Sequence, residues 1–315
     1  MAGAASREGL QRLVQELSPG GRLVRVRRLR GGLGARMHVL NLETASGRRE
    51  RLVLRRYIAG WRFSDAAAAN KEFRVLQLAA SAHIPAPKPV WLDAEARFFT
   101  TPCMVLSYLP GRSFHVPRNI HEWVSELARG LTAVHAVAPD RYDLSWLEPL
   151  DRQTILHGLE KRRVQATAGP LALQVIDEAD RRLQNLDLSN VLIHADFHPG
   201  NTVFARTRLS GIVDWPEACL GDPAYDVAQC RLDLVISHGT EVADAFRDAY
   251  EKTSGNKLGN LDFFDLERGL LALVHYRRWL DGYHDAGLTH ITAQAAGARL
   301  RLFLRSALAR SHRQS

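Results

Sequence analysis

Apolar positions recur along this chain with two different periods. Residues 6–17 carry them at the three- and four-residue spacing of a short amphipathic helix. From 22 to 57 the spacing shortens: RLVRVRRL nearly alternates apolar and basic residues, RMHVLNLET follows the glycine-rich Arg30-Gly31-Gly32-Leu33-Gly34, and RERLVLRRY follows a Ser-Gly turn, which predicts three strands. Ala66 to Ala80 combines strong helix formers with Phe73, Leu76 and Ala80 and predicts a helix. HIPAPKPV ends it with three prolines. Residues 98–108, FFTTPCMVLSY, read as strands, and LPGR reads as a turn. Beyond 119 helices dominate, over 119–136, 151–166, 171–186, 222–237, 241–253, 262–285 and 290–312. The exception is 191–214, where two short strands flank a turn.

A strand-rich segment, 1–109, thus precedes a mostly helical one, 110–315, joined near Pro110-Gly111. This is the pattern of an α+β bilobal protein with a cleft between its lobes. No run of about 18 apolar residues lacks charges, so no membrane span is expected, and MAGAASREGLQRL lacks the apolar run of a secretory signal. Cys103, Cys219 and Cys230 form no C-x-x-C and read as reduced thiols in a cytoplasmic protein. The formal charge is +8, but it is uneven: residues 1–60 hold 13 arginines against 4 acids, and the remainder is nearly neutral. Such a surplus suits nucleic acid or an anionic ligand, and it equally suits an arginine-rich surface without a partner.

The strongest chemical signal is LIHADFHPGNTVF, in which His194-x-Asp196-x-x-x-x-Asn201 is followed by a hairpin and then Ile212-Val213-Asp214. Phosphoryl transfer needs a carboxylate near the attacking hydroxyl, which Asp196 supplies, and hard oxygen ligands for Mg²⁺, which Asn201 and Asp214 supply. The hairpin would fold Asp214 back beside Asn201. Taken alone, the stretch also fits a polar turn between two strands. Zinc on His194 and His198 is disfavoured, because Pro199-Gly200 breaks the helix their spacing would need and no third ligand is apparent.

HADFHPGN, then IVDW, then GDPAYDVA resembles the aminoglycoside phosphotransferase and choline-kinase-like family, which shares the protein kinase fold; the resemblance covers nearly the whole chain in order. It implies a strand-rich N-lobe, a mostly helical C-lobe and a nucleotide cleft between them. It implies an ATP- (or GTP-) and Mg-dependent kinase acting on a hydroxyl of a small molecule such as an aminoglycoside or other antibiotic, an amino sugar or an amino alcohol, with Asp196 as catalytic base and Asn201 and Asp214 holding the metal. His194 braces the loop, Asp226 anchors it, and Asp222 is read chiefly as a helix cap. Gly31, Gly32 and Gly34 would let backbone N–H groups approach phosphates, although a hairpin turn gives the same pattern and Met37 stands at the third glycine of the kinase loop. No lysine precedes Lys71, so an arginine must meet the phosphates. Period-two alternation puts Arg55 and Arg56 on opposite faces; the family's similar V-L-R favours Arg55, with Glu72 as its helix partner. Met104 to Gly111 looks like the hinge, with backbone groups near Ser107 and Leu109 bonding adenine.

Asp222 follows Asp214 by only eight positions, which leaves no room for an activation segment and disfavours a protein substrate. The residues of 275–284 are rich in functional side chains and could line the acceptor pocket. Asp226, Asp233 and Glu217 are carboxylates that could contribute to it. A non-catalytic nucleotide-binding module and a nucleic-acid binder using the basic N-terminal segment are the alternatives. The kinase reading needs neither nucleic acid nor membrane as partner.

Overall fold

The computed structural model describes residues 5–29, 34–113, 116–165 and 169–311. The chain divides into two compact units, Met1–Pro110 and Gly111–Ser315.

The first unit is built on a five-stranded antiparallel sheet in the order β1-β2-β3-β5-β4, from Arg22–Arg28, Ala35–Glu43, Arg49–Tyr57, Pro89–Asp93 and Cys103–Ser107, numbered in chain order. Helix α1, Arg7–Leu17, starts where Ser6 Oγ accepts the Gly9 N–H. It buries Leu10, Leu13 and Val14 against Leu40, Leu42, Leu54, Cys103 and Val105 of one sheet face. Helix α2, Ala66–Ser81, is capped by Asp65, whose side chain accepts the Ala68 N–H at 2.8 Å, an arrangement worth about 1 kcal/mol. In β1 the alternation is broken by a bulge between Leu23 and Arg25. The extra residue brings Leu23 and Val26 to the same face, where both pack on the core. Arg22, Arg25, Arg27 and Arg28 are exposed along this edge strand, where charge discourages pairing with another chain.

Two expectations need correction here. Of 98–108 only Cys103–Ser107 is a strand; 98–101 is bent chain held by Asp93, which accepts the Phe98 N–H. The proline-rich stretch contains β4, because it lies at the sheet edge, where a missing N–H is tolerated.

The second unit holds α3 (Ile120–His135), α4 (Arg152–Gln165), α5 (Pro170–Leu183), α6 (Pro223–Ser237), α7 (Thr240–Ser254), α8 (Leu261–Asp285) and α9 (Ala293–Ser311). Its strands form a β6–β9 pair (Val191–Ile193 with Cys219–Gly221) and a β7–β8 hairpin (Thr202–Ala205 with Arg208–Ile212). α6 is buried along nearly its whole length. Gly130 of α3 lets the hairpin approach: a Cβ there would lie 2.3 Å from Leu209 Cδ2. Buried charges are paired. Arg231 spans Asp265 and Asp244 at 3.1 and 2.8 Å, and Glu267 is held by Arg162 and Arg268. No helix among the described residues is long and apolar enough to cross a membrane.

Candidate active site

Between β6 and β7 the chain must turn sharply, and α6 holds the turn in place. Asp226, fully buried, accepts the His194 N–H at 2.7 Å and the Ala195 N–H at 2.8 Å. Behind it His135 Nε2 lies 3.1 Å from the same carboxylate, and His135 Nδ1 lies 2.7 Å from Tyr250 Oη. This anchoring stabilises a left-handed backbone at Ala195, φ 65°, a conformation that costs a non-glycine residue about 1–3 kcal/mol. Asp222 caps α6 through the Ala224 N–H, as expected, and also accepts from Ser189 N–H and Asn260.

His194 is wholly buried between the loop and Trp215, with ring centroids 4.6 Å apart. Its Nδ1 accepts the Asp196 N–H, and its Nε2 lies 3.1 Å from the Val213 carbonyl, to which it must donate. One nitrogen accepts and the other donates, so the ring is neutral. Burial lowers its pKa accordingly, against the opposing charge of Asp226. His194 therefore braces the loop against the segment that carries Asp214.

A single 3-10 turn, Pro199–Asn201, follows. Asn201 Nδ2 donates to the Asp196 carbonyl at 2.9 Å and to Asp196 Oδ2 at 3.0 Å. The amide nitrogen is thereby committed, and its carbonyl oxygen is turned the other way. The β7–β8 hairpin returns the chain so that the Val213 N–H donates to the Asn201 carbonyl at 2.8 Å. The next residue, Asp214, has a left-handed backbone, φ 68°. The Val213–Asn201 bond sets the two ends of the hairpin side by side, and the charge of Asp214 acts on Asp196. Burial raises the Asp196 carboxyl above the usual aspartate range; Asp214 adds to this, while His198 and Asn201 oppose it. Among the described residues no group of three or more His, Cys, Asp or Glu is placed to hold a metal.

In the first unit Arg55 and Glu72 are both buried and form an ion pair at 3.2 Å. Tyr57 donates its hydroxyl to the same carboxylate at 2.6 Å. Arg56 lies on the opposite face, over the Phe99 ring. Gly31 and Gly32 lie outside the described residues. Gly34 does have a packing role: a Cβ there would meet the Trp61 indole at 2.5 Å. The Ser107 N–H and hydroxyl are both engaged by the Lys88 backbone.

Two side chains carried no signal in the local motif, His135 and Gln229, and His198, weighed there only as a zinc ligand, also lies beside the loop. Gln229 Nε2 donates to Asp196 Oδ1 at 3.4 Å, and His198 Nε2 lies 3.8 Å from Asp196 Oδ2. Asp226 is occupied by the loop backbone, which removes it from the carboxylates available to an acceptor. In 275–284, Tyr276 and Tyr283 are core residues.

The sequence model of the phosphotransferase enzyme family matches residues 25–264. The chain belongs to this phosphotransferase enzyme family. Its fold is that of the solved aminoglycoside phosphotransferase APH(4)-Ia, with TM-score 0.64, 19% identity and coverage of 96% of this chain and 99% of that one. It is also that of macrolide 2'-phosphotransferase MphH from Brachybacterium faecium, with TM-score 0.60, 20% identity and coverage of 93% and 98%. Another APH(4)-Ia structure with this fold, TM-score 0.62, 18% identical and covering 95% and 98%, is a ternary complex with ADP and hygromycin B. Among curated relatives, homoserine kinase of Phenylobacterium zucineum is 33% identical over 40% of this phosphotransferase-family chain and 40% of its own length. Acyl-CoA dehydrogenase family member 10 of Mus musculus is 24% identical over 62% of this chain and 20% of its own length. The chain therefore spans a fifth to two fifths of the length of these curated relatives.

Proposed function

We propose that this chain is an ATP- and Mg²⁺-dependent kinase that phosphorylates a hydroxyl of a small molecule. The observation that carries the proposal is the committed amide of Asn201. Its nitrogen is tied to Asp196, so its carbonyl oxygen is the end left to meet an ion, and the Asn201 backbone carbonyl holds the Val213 N–H, one residue before Asp214, whose carboxylate is the proposed charged ligand. One carboxylate and one neutral oxygen suit magnesium, which takes few protein ligands and completes its shell with phosphates and water. The ion would supply charge neutralisation along the phosphates.

Asp196 is the proposed base. Its carboxylate is held by the Asn201 amide, and 38% of its side chain is exposed, which leaves it open to an incoming hydroxyl. In the transfer, the acceptor oxygen forms a bond to the γ-phosphorus, the bond from that phosphorus to the β–γ bridging oxygen breaks, and the hydroxyl proton passes to Asp196. Arg55, oriented by Glu72, is proposed to contact the phosphates with its planar fork. Gly31, Gly32 and Gly34 would approach them through backbone N–H groups, and backbone groups near Ser107 and Leu109 would hold the adenine. Homoserine and aminoglycosides, named for the relatives, share the required hydroxyl. Asp196→Asn keeps the shape and removes proton acceptance. Turnover should fall about 100-fold or more, while nucleotide binding measured by equilibrium dialysis persists. Near-normal turnover in that variant would remove Asp196 from the role.

A further inference from the structure

The sheet of the first unit gathers part of its arginine surplus on one face. In β2, Arg36 stands directly opposite Arg56 of β3, and His38 stands directly opposite Arg28 of β1. These positions share the parity of Val26, Leu40 and Leu54, which pack in the core beneath α1. All four side chains therefore leave the sheet on the α1 face, and Arg55 leaves it on the other. Arg28 is exposed and Arg36 half-buried, whereas Arg56 and His38 are 7% and 6% exposed.

Such a row works against the sheet, because like charges directly opposite each other across two strands destabilise it. Burial opposes the Arg56 charge, and the neighbouring Arg36 adds to that. His38 is surrounded: burial first, then Arg56, Arg28 and Arg36, push its pKa below the ordinary histidine value. The ring is thus neutral and keeps one N–H to donate. Yet His38 Nδ1 is buried and meets no hydrogen-bond partner among the described residues. A buried polar atom left unmet is costly to a fold and calls for a physical reason. Beyond Arg56 the row runs through Cys103 to Asp93, and the Asp93 carboxylate already accepts from Arg97 and from the Phe98 N–H. Elsewhere the buried arginines face carboxylates, as Arg55 faces Glu72, Arg231 faces Asp265 and Arg268 faces Glu267. Here cation is set beside cation.

We infer that this face of the sheet holds a binding site for a phosphate group, with Arg28 and Arg36 on its open side and His38 and Arg56 at its floor. A phosphate accepts from several guanidinium forks at once. Its charge turns the mutual repulsion of the three arginines into a shared attraction, and the His38 ring contributes a neutral donor. Phosphate that is free, carried on a small soluble molecule or displayed by a lipid headgroup offers the same oxygens. The site is on the face of β3 opposite Arg55, so it is distinct from the proposed nucleotide contact and needs nothing from the kinase reading.

The test uses the full chain. Inorganic phosphate and glycerol 3-phosphate are titrated by calorimetry, with and without ADP to fill the proposed nucleotide site. Cosedimentation follows binding to phosphatidylcholine vesicles that carry or lack phosphatidic acid. At least one phosphate carrier should bind whether or not ADP is present, and the one that binds identifies the source. Arg28→Gln together with Arg36→Gln should weaken that binding about tenfold or more, the loss expected for charge-assisted bonds. Arg25→Gln together with Arg27→Gln removes the same charge from the other face of β1 and should leave the Kd as it was. Arg28→Gln alone, at an exposed position, should give a smaller loss and keeps the test open should the first double variant not fold. Binding by none of the probes overturns the site. Equal weakening by the two double variants also overturns it, since general charge attraction then suffices. So does phosphate binding that ADP abolishes, which would belong to the nucleotide site.

Discussion

Adjacent arginines with opposite fates mark the residue scale. Arg55 and Arg56 are equally buried, yet one pairs with a helix carboxylate and the other lies over the Phe99 ring. Arg55→Ala should raise the apparent ATP Kd and remove the ion-pair partner of the buried Glu72. Arg55→Lys should keep part of the activity, because charge survives while the fork geometry is lost. Arg56→Ala removes a guanidinium packed on an aromatic face and should lower Tm without moving the ATP Kd. A silent Arg55→Ala beside a damaging Arg56→Ala, in nucleotide titrations, would give the phosphate role to Arg56.

At the scale of elements, α6 decides whether the loop exists. Asp226→Ala leaves two buried N–H groups without an acceptor, at about 1–3 kcal/mol each, and frees Ala195 from its left-handed backbone. Urea unfolding should show a loss of about 3 kcal/mol or more, and turnover should fall further than the lost stability explains. The helices, α2 and the β7–β8 hairpin were readable in the sequence because each carries enough periodic positions to declare its period. β4 and β9 were not: the first opens on a proline and the second has only three residues, too few for any alternation. The same distinction holds at the site. His194, Asp196, Asn201 and Asp214 fall within one loop and hairpin, where spacing is informative. His135 and Gln229 reach the loop from separate helices, where no local spacing points to them.

For the molecule as a whole, acid stability depends on paired buried charges. Burial works against the Glu267 carboxylate, but Arg162 and Arg268 hold its pKa down, to about 2. The folded pKa is below the unfolded one, so this contribution is present above the ordinary glutamate range and lost as pH falls toward 2. Thermal melts should therefore show Tm declining through the window between about 4.3 and 2. Glu267→Gln should destabilise the protein at pH 7 by about 3–5 kcal/mol, since it strands the buried Arg268 and the partly buried Arg162, and should flatten that decline. A variant with wild-type Tm at pH 7 would show that α4 and α8 do not depend on this cluster.

The polar stripe of α6 also bears on how such a chain can diverge. Asp222 and Asp226 answer to backbone N–H groups, whose positions are fixed by the path of the chain. Gln229 and Asp233, on the following turns, make none of those bonds. Constraint is thus divided along one helix: its first turns are bound by backbone geometry, and the next are not. A lineage can vary 229 and 233 by single substitutions while the bonds that hold the neighbouring loop stay in place.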